Sequence, residues 1–430
     1  MINVPNMFTS FYGIKRNFPT IFISFSLIAY PVTVLLIPKV NGLIFGLFAL
    51  TGLVFLFTYR QRSVQTNREE ALFYTAVSLF FMMSLLITII GGFEYKAIGK
   101  YLHLILAIPI YIYLRQMGFK LQYLWMGLVA GAVMAAGIAV YEVVFLNLPR
   151  AQSLTHPIIF GDLALVMGCM SMACLGWFKQ RANWQIIFPV FAVLCGVAAS
   201  VLSVARGGWV AVPFIVLVFF WYIKSQFSFK QISIFAVMLI IFIGVIYAIP
   251  QTKVSYQVDR TLTSLQQYGD SEITSAKRAT SVGTRLEMWQ ASWVIFLENP
   301  FVGVGWGHYK ENAQELVDQG LRNRSAARFD HPHNEYFSAL AHAGLFGFVV
   351  LMLLFLTPAS LFVKYIKFGK TPDSQRLALA GLVLIVAYMA FGISEPMLYR
   401  SRSVNFFGFY LAIFLAGIYQ EEHKLTNKRT

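Results

Sequence analysis

Charge is what this sequence has least of. Only 12% of its 430 residues are charged, against roughly 25% in a soluble domain, while 58% are hydrophobic and 40 are Phe. That excludes a soluble globular enzyme and implies one polytopic membrane domain. Acidic residues are the scarcer sign, 19 against 34 Lys and Arg, for a net charge of +15. A basic balance on one soluble face implies nucleic acid. Here the cations lie in short loops between apolar runs, so they mark membrane orientation and no nucleic-acid partner is expected. The three cysteines, Cys169, Cys174 and Cys195, all fall inside apolar runs, which excludes a disulfide framework. There is no His-Glu-x-x-His, no pair of acidic residues spaced for Mg²⁺ and no internal repeat of fixed period. Lys15 and Arg16 precede an apolar run without a small-residue cleavage site, which reads as a first transmembrane helix and not a removed signal peptide.

What is present is a succession of about twelve apolar runs, each near the ~20 residues that span a bilayer. They cover 19–38, 41–59, 71–91, 99–115, 122–146, 157–178, 185–203, 208–224, 231–250, 333–363, 376–394 and 403–420. The fourth is short and the tenth is long enough to extend beyond the bilayer. With the N-terminus inside, every inner loop carries at least two Lys or Arg, and both termini are cytoplasmic. The expected fold is all-α. Transmembrane helices one to nine lie in 1–250, a long outer loop in 251–332, three more helices in 333–420 and a short basic tail in 421–430.

The loop 251–332 is too long for an ordinary connection, which points to function. Residues 285–298 place Leu286, Trp289, Trp293 and Phe296 at helical spacing, an amphipathic helix suited to a membrane interface. Pro300 ends it. Gly303, Gly305 and Gly307 then read as a flexible turn, 308–319 as a second, more polar helix, and Ser/Thr-rich 261–284 as the mobile part.

The loop closes on Asp330-His-Pro-His-Asn-Glu335, where two histidines stand one residue apart just before an apolar run. His333 is the candidate general base, expected to open the tenth helix, whose N-terminus favours a neutral imidazole. Asn334 and Asp330 are candidates to orient the rings. His331 and His333 are also half a metal site, but no third and fourth ligand stands out in the sequence. Arg206, in Ser-Val-Ala-Arg-Gly-Gly, lies near the outer membrane face, where an Arg has either a partner, a function or a headgroup to snorkel to. Gly207 and Gly208 leave space there for an anion. Arg285 stands at the expected start of the amphipathic helix, where a cation opposes the helix dipole unless both receive an anion such as phosphate. Asp162, Glu142, Glu395, Arg400 and Arg402 are outer-end groups that either line the same cavity or pair among themselves.

Ser-Val-Ala-Arg-Gly-Gly, then Gly-Thr-Arg-Leu-Glu-Met-Trp with Asn-Pro-Phe-Val-Gly-Val-Gly-Trp-Gly, one long outer loop, and His-Pro-His-Asn-Glu-Tyr leading into a helix resemble, in that order, the bacterial O-antigen ligase family. The resemblance implies a metal-independent, inverting glycosyltransferase of the bacterial inner membrane, with its site facing the periplasm and no cofactor. The donor is an O-antigen carried on undecaprenyl pyrophosphate, the acceptor a sugar hydroxyl of lipid A–core, and membrane lipids surround the site. It implies that Arg206 and Arg285 bind the pyrophosphate and that His333 activates the acceptor, with His331 and Asn334 in support. The rival readings are an O-antigen polymerase, a protein O-oligosaccharyltransferase and a transporter of the lipid-linked glycan. A transporter predicts broken helices near the membrane midplane.

Overall fold

The computed structural model describes residues 7–37, 39–58, 66–91, 95–223 and 280–424, with a few isolated positions between 224 and 279. All regular structure there is helical. In chain order the helices are α1 Met7–Thr33, α2 Val40–Thr58, α3 Arg68–Ile90, α4 Tyr95–Ile105, α5 Ala107–Met117, α6 Leu121–Val140, α7 Pro157–Met172 and α8 Leu175–Lys179. They continue with α9 Ile187–Leu202, α10 Arg206–Trp209, α11 Ala211–Ile223, α12 Ser281–Glu298, α13 Tyr309–Asp318, α14 Glu335–Phe368, α15 Pro372–Phe391 and α16 Ser401–Lys424.

Among the described residues nine helical stretches are long and apolar enough to cross a membrane, and Pro19–Thr33 and Pro157–Met172 are shorter apolar helices. These coincide with the apolar runs of the sequence except 231–250, which lies outside the described residues together with most of 251–284 and the end of the tail. The fourth run is α4 and α5, broken at Leu106. The tenth is α14, whose 34 residues reach about 50 Å and exceed a ~30 Å hydrocarbon core. The three cysteines are free and buried.

Burial orders the bundle. The spans of α15 and α16 are 83% and 89% buried, whereas that of α11 is 17% buried, so α15 and α16 form the centre. They pack on each other, with α14, α7 and α11 against α15 and α5 and α4 against α16. Small residues let helices approach closely where lipid supplies little apolar driving force. Gly127 and Gly131 of α6, for example, lie against the backbone of Leu27 and Pro31 in α1. At the end of α14 far from the histidines, Glu69 receives Lys364 and Tyr365, and buried Glu70 pairs with Arg115 at 2.8 Å.

The long loop has its own small core of Met288, Ala291, Ile295, Tyr309, Ala313, Leu316 and Ala326. The Tyr309 hydroxyl ties it together, standing 3.1 Å from both the Met288 and the Ala326 carbonyl oxygens with one hydrogen shared between them. The face of α12 packed into this core carries Met288, Ala291 and Ile295, and the Leu286–Phe296 stripe lies outside it. Trp293 and Leu297 point outward on the other side.

The glycine-rich stretch after Pro300 is no flexible turn. α14 is broken at Gly344, which has φ 63°. The backbone groups freed by the break are satisfied by the loop: Val304 N–H donates to Ala341 O and Gly305 N–H to His342 O, both at 2.9 Å, and Leu345 N–H donates to Pro300 O at 2.8 Å. The break stands nine residues after the start of α14, and the groups it frees bond to the loop. Gly303 has φ 65°, and a Cβ there would overlap the backbone of residues 341–343. Gly303→Ala combines a left-handed strain of about 1–2 kcal/mol with overpacking of about 1–3 kcal/mol against atoms that cannot step aside. It is expected to lower the thermal unfolding midpoint in detergent by several degrees. Gly137→Ala, where no atom lies within 4 Å of the added carbon, is the control and should leave it in place. Equal midpoints for the two variants would refute the loop–helix clasp.

Candidate active site

Asn334 ends the loop by capping α14: its side-chain oxygen accepts the N–H groups of Tyr336 at 2.9 Å and Phe337 at 3.0 Å. Its amide donates to Ile393 O at 2.9 Å. Asn334 therefore positions the helix start against the turn between α15 and α16 and does not orient either histidine ring. Glu335 continues the joint, donating its N–H to Gly392 O at 2.7 Å and accepting Leu398 N–H at 2.8 Å.

His333 lies one residue ahead of that cap, outside the helix, with φ 49°. The expected polarisation by the helix N-terminus gives way to a direct partner, Glu395. Nδ1 of His333 stands 2.6 Å from Glu395 Oε2, and the Glu395 side chain is fully buried. Burial alone would raise the Glu395 carboxyl. The hydrogen bond and charge of His333, then His331 and Arg400, outweigh it and hold the carboxyl below its usual pKa. In the neutral form of the ring, an ionised Glu395 favours the tautomer with the proton on Nδ1, which leaves the lone pair on Nε2. That is the arrangement in which an imidazole takes a proton and a carboxylate stabilises the resulting cation.

His331 is buried, and its Nδ1 accepts the backbone N–H of His333 at 3.2 Å. Its ring lies 4.5 Å from the His333 ring and 4.6 Å from Tyr399. Burial, reinforced by His333, lowers its pKa to about 3, which keeps it neutral at neutral pH.

His331, His333 and Glu395 each bring one ligand atom within 4.8 Å of the others, so Glu395 is the third candidate metal ligand that the sequence did not reveal. The distances fit a proton-sharing pair better. Two atoms each about 2.0–2.1 Å from a tetrahedral ion stand roughly 3.3 Å apart, and the 2.6 Å His333–Glu395 contact would have to open to admit one.

Arg285 and the segment that follows Arg206 lie by the same turn. Arg285 lies one full turn inside α12, because Thr280 caps that helix by accepting Gly283 N–H at 3.1 Å. Its expected conflict with the helix dipole is therefore absent. Burial pulls the Arg285 guanidinium down, and the charges of Glu395 and then Asp162 oppose that. Trp289, one turn further on, donates to Pro332 O at 3.0 Å and fastens α12 to the histidine loop. Arg206 opens α10 just after Val204, a β-branched residue at φ 56°. The space at Gly207 and Gly208 is filled by Ser394 and Asp162, so those glycines serve close packing against the Glu395 turn and not an anion. Strained backbone thus precedes both Arg206 and Asn334, as is common at functional sites.

Beside this cluster opens a cavity of about 630 Å³. His331, Phe329 and Asp330 line it from the loop, Tyr399, Arg400 and Arg402 from the α15–α16 side, and Lys100 and His156 from elsewhere. Lys100, His156 and Tyr399 were not singled out from the sequence as site residues. Of the outer-end groups that were, Glu395, Arg400 and Arg402 join the site, and Asp162 lies buried beneath it. Glu142 serves the local fold, accepting the N–H groups of Gln152 and Ser153.

Comparison with known proteins points the same way. Residues 190–352 match the family described as O-Antigen ligase, a stretch that contains Arg206, Arg285, His331, His333 and Asn334. An O-antigen ligase of Escherichia coli K12 is 26% identical over 251 residues, 58% of this chain and 49% of that protein. An uncharacterized protein of Haemophilus influenzae is 24% identical over 379 residues, 88% of this chain and 93% of that one. These matches support the family read from the motifs, and with it glycosyl transfer at a membrane.

Proposed function

We propose that this chain, whose residues 190–352 match the O-antigen ligase family, transfers O-antigen from undecaprenyl pyrophosphate to a sugar hydroxyl of lipid A–core. The reaction is inverting and metal-independent, at the periplasmic face of the bacterial inner membrane. The observation that carries the reading is the His333–Glu395 pair at 2.6 Å, made through Nδ1.

Nε2 takes the proton of the acceptor hydroxyl as its oxygen attacks C1 of the donor sugar. The bond from C1 to the phosphate oxygen breaks on the opposite face, and undecaprenyl pyrophosphate leaves with the electron pair. Glu395 stabilises the imidazolium formed on His333. Arg206 and Arg285 bind the pyrophosphate and stabilise the charge that grows on it, the work a metal ion does elsewhere. Attack opposite the leaving group inverts the anomeric centre.

The test is reconstitution. Purified protein with undecaprenyl-pyrophosphate-linked O-antigen, lipid A–core and EDTA is expected to form high-mass lipopolysaccharide. No product from the native protein sinks the reading, and product that vanishes only with EDTA overturns its metal-free form. A second lipid-linked glycan offered in place of lipid A–core separates a ligase from a polymerase.

A further inference from the structure

The cavity beside His331 has an unbalanced lining. Lys100, Arg328, Arg400 and Arg402 face it, and Asp330 is the one acidic residue among those that line it. Two of the guanidinium groups have buried donors that make no hydrogen bond among the described residues, Nε of Arg400, which ion-pairs with Glu395, and Nη1 of Arg402. The nearest carboxylate oxygen to Arg400 Nε is Glu395 Oε1 at 3.6 Å, beyond hydrogen-bond reach. A buried donor left without an acceptor is destabilising by about 1–3 kcal/mol, more when charged, so an anion entering the cavity would relieve that cost. Arg402 is also the second residue of the 24-residue helix α16, whose dipole adds to the pull on a negative group.

Arg206 and Arg285 do not line this cavity. Arg285 feels Glu395 and Asp162, and the residues after Arg206 pack on Ser394 and Asp162. His331 and Phe329, which do line the cavity, have their rings 4.5 Å and 4.7 Å from that of His333. The histidine thus has one cationic place around the Glu395 turn and another in the cavity.

We propose that the cavity is an acceptor subsite that binds phosphate groups on a lipid-anchored oligosaccharide, and so selects phosphorylated over neutral acceptors. This rests on the transfer reaction proposed above and adds a specificity element to it. Arg328 and Arg402 hold the acceptor phosphates, Lys100 adds charge, and Arg400 links the subsite to Glu395. The ~630 Å³ volume takes a phosphorylated sugar unit or two and leaves the rest of the acceptor outside.

The experiment compares lipid A–core carrying its phosphates with the same lipid after dephosphorylation by hydrofluoric acid, at fixed donor. The native protein is expected to show an acceptor KM raised about 10- to 100-fold by dephosphorylation, the worth of one or two charge-assisted hydrogen bonds. The Arg328→Gln/Arg402→Gln double variant should raise KM for the phosphorylated acceptor by a similar factor. It should leave donor KM unchanged, and Arg402→Lys should recover part of the loss. Equal KM for the two acceptors in the native protein overturns the proposal, as does a variant that raises donor KM instead. Binding of both fluorescently labelled lipids to the protein in nanodiscs, without donor, supplies a readout independent of chemistry. Phosphate- and Arg402-dependent binding without any transfer supports the subsite and sinks the ligase reading. Phosphate-independent binding overturns the subsite whatever the transfer result. If the native preference appears in phosphatidylcholine nanodiscs and is abolished by phosphatidylglycerol, the cavity is a headgroup site and the proposal fails.

Discussion

His333→Ala is expected to lower turnover in the transfer assay by about 10²–10⁴-fold, the usual contribution of a positioned general base. The loss belongs in kcat, with acceptor KM little changed, because in the proposed reaction His333 touches the reacting proton and not the body of the acceptor. Removing the ring also strips a buried carboxylate of its hydrogen-bond partner, since Glu395 is fully buried and Arg400 stands 3.6 Å away. Such an orphaned charge is destabilising by several kcal/mol, so loss of activity in His333→Ala alone is open to a folding explanation. His333→Gln removes that ambiguity. Its amide still donates toward Glu395 but has no basicity, so it should unfold near the native midpoint and be as inactive as the alanine variant. Glu395→Gln keeps a polar partner for Nδ1 but supplies no negative charge to the imidazolium. It should fall at least tenfold while retaining measurable transfer. Native turnover in His333→Gln would remove His333 from the base role.

The residues that make this test possible were unequally visible in the sequence. The helices were legible because a span needs a continuous apolar run, and such a run is a local property. His333 and Arg206 were picked out as polar groups at the edges of such runs, and Arg285 as a cation at the expected start of the loop's amphipathic helix. Glu395 was visible only as one of several outer-end acids, because its role depends on a partner 62 residues away and on the turn between α15 and α16 that delivers it. The start of α12 was misplaced by one turn because Thr280 sits in a Ser/Thr-rich stretch that reads as loop. Its spacing to Gly283 was the available signal for a cap. The glycines at 303 and 305 were read by their freedom, whereas their role is to let two backbones meet. That contact involves the break at Gly344, which no local pattern announces inside an apolar run.

The same dependence on distant partners sets the size of the effect at Arg285. Arg285→Ala is expected to reduce kcat/KM for the donor by about 10²–10³-fold, the scale of losing one preorganised donor to a developing charge. Two consequences separate it from Arg206→Ala. First, Arg285 opposes the charge of Glu395 and Asp162, so its removal raises the proton affinity of Glu395. A carboxylate that takes up a proton more readily no longer stabilises the His333 cation, and the acidic limb of the kcat profile should move to higher pH. Arg206→Ala, which by this reading acts on the pyrophosphate alone, should lower donor kcat/KM without moving that limb. Second, Arg285→Lys keeps the charge near Glu395 but loses the planar fork that grips two phosphate oxygens. It should therefore restore the native pH profile while leaving donor kcat/KM well below native. A lysine variant that restores both quantities would reduce Arg285 to a point charge, and native kinetics in the alanine variant would remove it from the site. The charge that grips the leaving group and the charge that tunes the base are, on this reading, the same guanidinium, and the pH profile is the measurement that tells the two roles apart.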